Sequence, residues 1–358
     1  MALFVLAIIL IAYFIQRWYA KNALQGVSYR FDVTRVLTAP DESFEMVTTL
    51  TNHTRRFIPY VKMTETLPAG IHFFGGATVL DAGFYSNEPQ QVSKFYLYPR
   101  GRLERRTEVS LPKRGQYRFQ KAWLWGGDFL GLSENCERMY RNAEVVVYPH
   151  PAEGAYLEKV MGGFMGDVSV RRFIIDDPVL TIGFREYTGR EPFKDISWLQ
   201  SAKTGQMMVK TRDYTTDISV SVVLNVEMLK ENQNPEAVEA CYSIAHTVCR
   251  QLENQKIKYD FFANFSTFGA EYSTWKYLPE GLGSRHLRKI LEGLGRASHN
   301  AVEPFEDLLH RALIKQTGAK SILIITPGPE AQARQLLAGR DENRAVIISG
   351  EQVPQEEA

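Results

Sequence analysis

Between residues 27 and 150 the apolar positions recur every second residue. Val27, Tyr29, Phe31 and Val33 alternate with Ser28, Arg30, Asp32 and Thr34, and Phe44, Met46, Thr48 and Leu50 continue the pattern. Further runs of this kind occupy 57–65, 94–98, 107–111, 117–124 and 144–148. Turn-forming stretches separate them: Ala39-Pro40-Asp41, Thr51-Asn52-His53, Leu67-Pro68-Ala69-Gly70 and Lys113-Arg114-Gly115. A period of two places alternate side chains on one face of a strand. Many short strands so spaced predict a β-sandwich of immunoglobulin-like type over 27–150. No cysteine pair flanks a tryptophan, so an antibody-type domain is not expected.

The pattern changes in the last third. Residues 218–224, Ile-Ser-Val-Ser-Val-Val-Leu, are read as a buried strand, and 235–255 carry a helical period after Asn234, a predicted N-cap. Strands are predicted at 259–265, 271–275, 321–326 and 345–349, and helices at 285–294, 304–315 and 330–338. Strands alternating with helices predict an α/β domain over 215–350 with a mostly parallel sheet covered on both faces. The polar tail 351–358 is expected to lack structure.

Residues 1–15 are apolar apart from the Tyr13 hydroxyl, and Gln16, Arg17, Trp18, Tyr19 and Lys21 follow. This order predicts a transmembrane helix over 1–20 that ends at a membrane interface. The run is short against the roughly 20 residues that a bilayer needs, so Arg17 is expected to snorkel beside Trp18 and Tyr19. Cations follow the run and none precedes it. The expectation is a bacterial single-pass membrane protein with its N-terminus outside and its main body in the cytoplasm. A secretory signal peptide would want a basic start and a small-residue cleavage site, and Ala20-Lys21-Asn22-Ala23 is a poor one.

The chain has 358 residues, 42 Lys and Arg against 41 Asp and Glu, and three cysteines, Cys136, Cys241 and Cys249. Balanced charge gives no overall field for nucleic acid. The odd, widely spaced cysteines argue against a disulfide framework. Arg100, Arg102, Arg105 and Arg106 are read as a solvated basic loop. No GxxxxGK[ST], HExxH, GxSxG or CxxC motif occurs, and Gly162, Gly163 and Gly166 form a flexible stretch without phosphate-loop context. Each of the seven histidines is read as a surface or core residue, and His246 with Cys249 as core packing. The chain is read as non-enzymatic and without cofactor.

Residues 151–214 are read as a linker holding the most informative stretch, 184–210. It shows no single period across its length. Arg185, Arg190, Lys194, Lys203 and Lys210 interleave with Tyr187, Phe193 and Trp198. Such interleaving suits an acidic partner, and Arg185, Tyr187, Lys194, Trp198 and Lys203 are the candidate partner-binding residues. Glu186, Glu191 and Asp195 neutralise much of this charge. An inter-domain clasp with Trp198 buried, and with Arg185 and Asp195 paired internally, is therefore favoured. A hydrolytic site around Arg185, Glu186 and Asp195 is the least favoured reading.

The pattern Arg185-x-Tyr187-x-Gly189, Ile196-x-Trp198, Ser201-Ala202-Lys203 and Met208-Val209-Lys210 resembles the family called domain of unknown function 58. The turns at 113–117 and 128–132 resemble two further stretches of that family. Lys194, Ser197 and Lys203 stand where the family has Arg, Asp and Arg, so bidentate guanidinium geometry is lost there. The resemblance implies a von Willebrand factor A-like fold for the α/β domain. It also implies a working link with MoxR-type AAA+ ATPases that remodel or mature client proteins. That fold commonly holds a divalent cation through D-x-S-x-S. Here Asn225, Glu227 and Leu229 take those places and Thr326 lies after a later strand. Asn225, Glu227 and Thr326 are thus read as a degenerate metal site that holds no metal, weak Mg²⁺ at most.

The fold class expected is multidomain α+β: a transmembrane helix, an immunoglobulin-like β-sandwich, and a von Willebrand factor A-like (Rossmann-like) α/β domain. The function expected is a membrane-anchored protein-binding scaffold serving an AAA+ partner. The alternative is an extracellular metal-dependent adhesion or ligand-binding protein.

Overall fold

The first helix, α1 (Ala2–Lys21), contains the apolar run, and the side chains of Phe4, Leu6, Leu10, Ile11, Phe14, Ile15 and Trp18 are exposed. The computed structural model describes residues 2–75, 79–80, 89–127, 134–172, 181–189, 191–212, 219–228, 233–267, 273–315, 320–338 and 345–352. Among these, no helix is long and apolar enough to cross a membrane. The physical reason is length. Apolar residues run only from Ala2 to Ile15, roughly 21 Å at the helical rise, against a hydrocarbon core of about 30 Å. Gln16 and Arg17 then interrupt the run, and Arg17 donates to the Tyr13 hydroxyl one turn back (3.2 Å). The transmembrane anchor, the single-pass membrane location and the first element of the expected fold class are corrected accordingly. The chain is mixed α/β.

Past α1, Ala23 and Leu24 are buried and Leu24 joins a β-domain core. Gly126 makes room for them, since a Cβ there would lie 2.8 Å from the Ala23 Cβ. The strands that follow are β1 (Val27–Val33), β2 (Leu37–Thr38), β3 (Phe44–Asn52), β4 (Ile58–Thr66), β5 (His72–Phe74), β6 (Val79–Leu80), β7 (Gln90–Leu97), β8 (Arg102–Ser110), β9 (Gly115–Gly127) and β10 (Glu134–Val147). They form a four-stranded sheet, β1-β3-β8-β5, and a six-stranded sheet, β2-β10-β9-β4-β7-β6. The two-residue period decides which side chains meet. Phe31, Phe44, Met46 and Val109 from one sheet pack with Phe119, Val145 and Val147 from the other. Leu50 likewise packs with Val61, Met63, Leu97 and Leu124. The basic loop expected at 100–106 is instead mostly strand β8, and Arg105 points into the core. Residues 128–133 lie outside the described residues.

The chain forms two units, Met1–His150 with Leu294–Arg296, and Pro151–Gly293 with Ala297–Ala358. The second begins with α2 (Ala155–Arg172) where a linker with a flexible glycine stretch was expected. Leu157, Met161, Phe164 and Val168 are buried at spacings of four, three and four, which is one helical face. That face outweighs the propensity cost of Gly162, Gly163 and Gly166, which have open space around them. Next come β11 (Thr181–Glu186), α3 (Trp198–Thr204) and β12 (Met208–Arg212).

The remaining elements are β13 (Ser219–Leu224), α4 (Pro235–Asn254), β14 (Lys258–Ala263), β15 (Phe265–Thr267), α5 (Ser273–Lys276), β16 (Tyr277–Gly281), α6 (Ser284–Arg296), β17 (Ala297–Ala301), α7 (Phe305–Ile314), β18 (Ser321–Thr326), α8 (Glu330–Leu337) and β19 (Ala345–Ser349). The strand expected at 271–275 is a correction. Residues 273–276 form a helical turn, and the strand runs from Tyr277 to Gly281. The sheet order is β16-β14-β13-β18-β19, parallel except for the edge strand β16. Val223, Phe262, Ile322, Ile324 and Ile347 bury one face under α7 and α8. The intervening Val222, Leu224 and Ile325 are equally buried, so both faces are covered. The tail begins in a 3₁₀ turn, Gly350–Gln352, and 353–358 lie outside the described residues.

The Asn234 side chain accepts from the amides of Glu236 (3.0 Å) and Ala237 (3.2 Å), capping α4. Asn234→Ala is expected to cost about 1 kcal/mol. Urea unfolding of the full chain measures it, and an unchanged midpoint would mean that water replaces the cap without loss.

Candidate functional site

In a sheet of this order the crevice lies beyond the carboxyl ends of the strands, where successive connections leave β13 toward opposite sides. Asn225 directly follows β13, Asn264 follows β14, and Thr326 ends β18. The Asn225 amide nitrogen donates to the Thr326 hydroxyl (3.1 Å). The Asn225 carbonyl accepts from Asn264 Nδ2 (2.7 Å) and from the Glu227 backbone N–H (3.0 Å). Asn264 Oδ1 in turn accepts from Val226 N (2.9 Å), and Asn264 Nδ2 also reaches the Glu303 carbonyl (3.1 Å). Glu227 Oε2 accepts from Phe305 N at the start of α7 (2.6 Å), where an anion is favoured by the helix dipole.

The three expected residues are therefore brought together, and each is committed to holding protein. Asn225, Asn264 and Thr326 are buried, and their polar groups satisfy one another. A hard cation wants several free oxygens, preferably carboxylates. Asn225 Oδ1 already takes two N–H groups and the Glu227 carboxylate caps a helix, so these residues do not fit one. Among the described residues no cluster of three or more His, Cys, Asp or Glu side chains is placed to hold a metal. Leu229 lies outside the described residues. Asn264 was missed from sequence because the strand was read through to Phe265. The strand ends at Ala263 and turns Asn264 toward Asn225.

The central segment is built from short elements. β11 and β12 pair antiparallel, and Ile196 bridges Val209, with both side chains buried. Tyr187 N donates to Met207 O and Ser197 N to Met208 O, each at 2.8 Å. The Ser201 hydroxyl donates to Ser197 O and accepts from Met208 N, both at 2.8 Å, tying α3 to β12. Gly205 closes α3 at φ 74°, the left-handed conformation that a helix C-terminus recruits. This frame buries Ile196, Ser197 and Val209 and turns Phe193, Trp198 and Leu199 outward. Phe193 is 70% exposed, Trp198 66% and Leu199 72%.

The clasp with a buried Trp198 is thus a correction. Ile196 occupies the inward position, so Trp198, two residues on and at the first turn of α3, faces solvent. Arg185 pairs with Glu191 (2.6 Å), and Tyr187 packs against the Phe193 ring (6.1 Å between centroids). Glu191 is held down at about 2, chiefly by the Thr188 hydroxyl and then by the Thr188 amide and Arg185, against the opposing effect of burial. Its charge therefore persists through the physiological range. Lys194, Lys203 and Lys210 are exposed on the same segment. Arg190 lies outside the described residues.

No family model matches the chain, and no curated protein matches it. Solved structures give partial likenesses. The alkylpurine DNA glycosylase AlkC of Pseudomonas fluorescens is 13% identical over 34% of this chain, with a TM-score of 0.20, and the match spans only 30% of the glycosylase. The CARDB domain of the PF1109 protein from Pyrococcus furiosus is 8% identical over 34% of this chain and 94% of its own length, with a TM-score of 0.22. A cohesin module from a Clostridium perfringens family 33 glycoside hydrolase is 10% identical over 34% of this chain and 96% of its own length, at 0.24. At these scores none carries an inference about fold or function.

Proposed function

We propose that this chain is a non-enzymatic scaffold that docks a partner protein on the hairpin 181–212. The observation that supports the reading is the outward display of Phe193, Trp198 and Leu199 on a hydrogen-bonded frame. Large apolar side chains held in solvent by a rigid backbone cost solvation free energy unless a partner covers them. Tryptophan in particular anchors interfaces. Lys194 and Lys203 beside them favour a partner with an acidic rim. The chain has no nucleotide phosphate loop of its own, so ATP hydrolysis would come from the partner. The family resemblance makes a MoxR-type AAA+ ATPase the first partner to test.

Trp198→Ala with Leu199→Ala is expected to weaken capture of that ATPase by the full chain by about 2 kcal/mol, roughly 30-fold. The unfolding midpoint should stay put, because both side chains are exposed. Undiminished capture by the folded double variant would sink the reading.

A further inference from the structure

We propose that the open edge of the β unit, along β7 and beside β8, takes an extended acidic peptide as an added strand. This surface is independent of the hairpin 181–212. β7 pairs along its inner edge with β4, but on its outer edge it meets β6 only at Gln90 and Gln91. From Lys94 to Leu97 that outer edge has no neighbouring strand among the described residues. Alternate residues of such an edge present both N–H and C=O outward, a template for a further strand. Among the described residues, β5 pairs with β8 only at Glu108, Val109 and Ser110, so the rest of that edge of β8 has no neighbouring strand among them.

Between these edges lies a cleft of 520 Å³. Tyr60, Phe95, Tyr98 and Leu103 supply apolar wall, Lys94 supplies charge, and Arg102, also in the lining, is already paired with Glu104 (3.0 Å). The Tyr98 ring packs edge-on to Tyr96 (5.5 Å) and against Phe57 (5.8 Å). Strand alternation specifies the ligand. Phe95 and Leu97 sit on the sheet face that turns toward the core, whereas Lys94 sits on the opposite face, directly across from Lys62 of β4. A strand laid along β7 therefore directs every second side chain to the face of Phe95 and Leu97 and the others to the face of Lys94, while Lys62 is turned away over the Trp125 ring of β9 (4.8 Å). The fitting sequence alternates apolar with acidic residues.

The test is a titration of the full chain with a fluorescent peptide of about six residues that alternates phenylalanine and glutamate. Saturable binding is expected. The same peptide N-methylated on alternate amides should lose it, because the side chains survive while the backbone pairing does not. A lysine-for-glutamate peptide should bind at least about tenfold more weakly, and Lys94→Glu should reverse that preference. Equal binding of the methylated peptide, equal binding of the lysine peptide, or no binding at all would overturn the proposal. So would a concentration-dependent dimer that excludes the peptide, which would assign the edge to a second copy of this chain. The Trp198→Ala, Leu199→Ala variant should bind the peptide undiminished, so failure of the hairpin reading and failure of this one are told apart.

Discussion

Glu65→Ala is expected to remove about 3–5 kcal/mol from the stability of the β unit. Glu65 lies on β4, fully buried, and joins the two sheets across the core. One carboxylate oxygen accepts from Arg141 (3.1 Å), from the Tyr29 hydroxyl (3.0 Å) and from the Thr48 hydroxyl (3.1 Å). The other pairs with Arg105. Arg141 also donates to the carbonyls of Thr66 and Lys121, each at 2.9 Å, and its guanidinium lies over the Phe31 ring (4.4 Å). Burial pushes the Tyr29 hydroxyl upward, with the charge of Glu65 adding to it, so Tyr29 stays a neutral donor. Without Glu65, two guanidinium groups face a low-dielectric space with no counter-charge. Desolvation of an unpaired charge is what makes breaking such a cluster costly. Urea unfolding followed by tryptophan fluorescence measures it. A loss below about 1 kcal/mol would mean that the cluster behaves as a solvated surface pair. Glu65→Leu combined with Arg105→Met and Arg141→Met should recover part of the loss, since replacing all three charges removes their desolvation cost while the Tyr29 and Thr48 hydroxyls still lose their acceptor.

Asn225→Leu is expected to cost about 3 kcal/mol in the α/β unit. The substitution leaves the Thr326 hydroxyl, the Glu227 N–H and one Asn264 amide hydrogen without their partner in a buried site, at about 1–3 kcal/mol for each group that water does not reach. Asn225→Asp separates packing from chemistry. It keeps the acceptor oxygen toward Asn264 and Glu227 N–H but replaces the donor to Thr326 and adds a negative charge near Glu227. Its stability should rise on adding Mg²⁺ if the added charge creates a cation site, while the parent chain should not respond. Thermal unfolding with and without the ion reads both. A parent chain stabilised by millimolar Mg²⁺ would overturn the description of the crevice as self-satisfied.

The difference between these two clusters shows what was legible. Asn225, Glu227 and Thr326 lie at the ends of runs so apolar that the sequence alone placed them at strand ends, and the structure brings them together. Glu65 was read inside a strand, yet nothing local marked it as buried. Its partners Arg105 and Arg141 are 40 and 76 positions away, and Arg105 had been assigned to a solvated loop. Local pattern carries the period of an element, whereas the match between distant charges exists only after two sheets stack.

The helix α2 is an intermediate case. Its apolar spacing was present in the sequence, but Gly162, Gly163 and Gly166 spoke against a helix, and packing of Leu157, Met161, Phe164 and Val168 decided the matter. In the segment 184–210 the sequence supplied the residues and the charge balance but not their direction. Trp198 reads as buried because Glu186, Glu191 and Asp195 neutralise much of the segment's positive charge. Only the pairing of Ile196 with Val209, which uses up the inward position, turns Trp198 to solvent. For α1, apolar composition is a property of the sequence, but crossing a bilayer is a matter of uninterrupted length.

Periodicity by itself placed strands such as β1, β3, β13 and β18 and the helix α4, because the alternation of buried and exposed sides is a one-dimensional property of the chain. Tertiary structure alone decided which polar groups are buried together and which apolar groups are left outside. Those outcomes depend on the register between segments far apart in sequence, and a single residue of shift exchanges inside for outside.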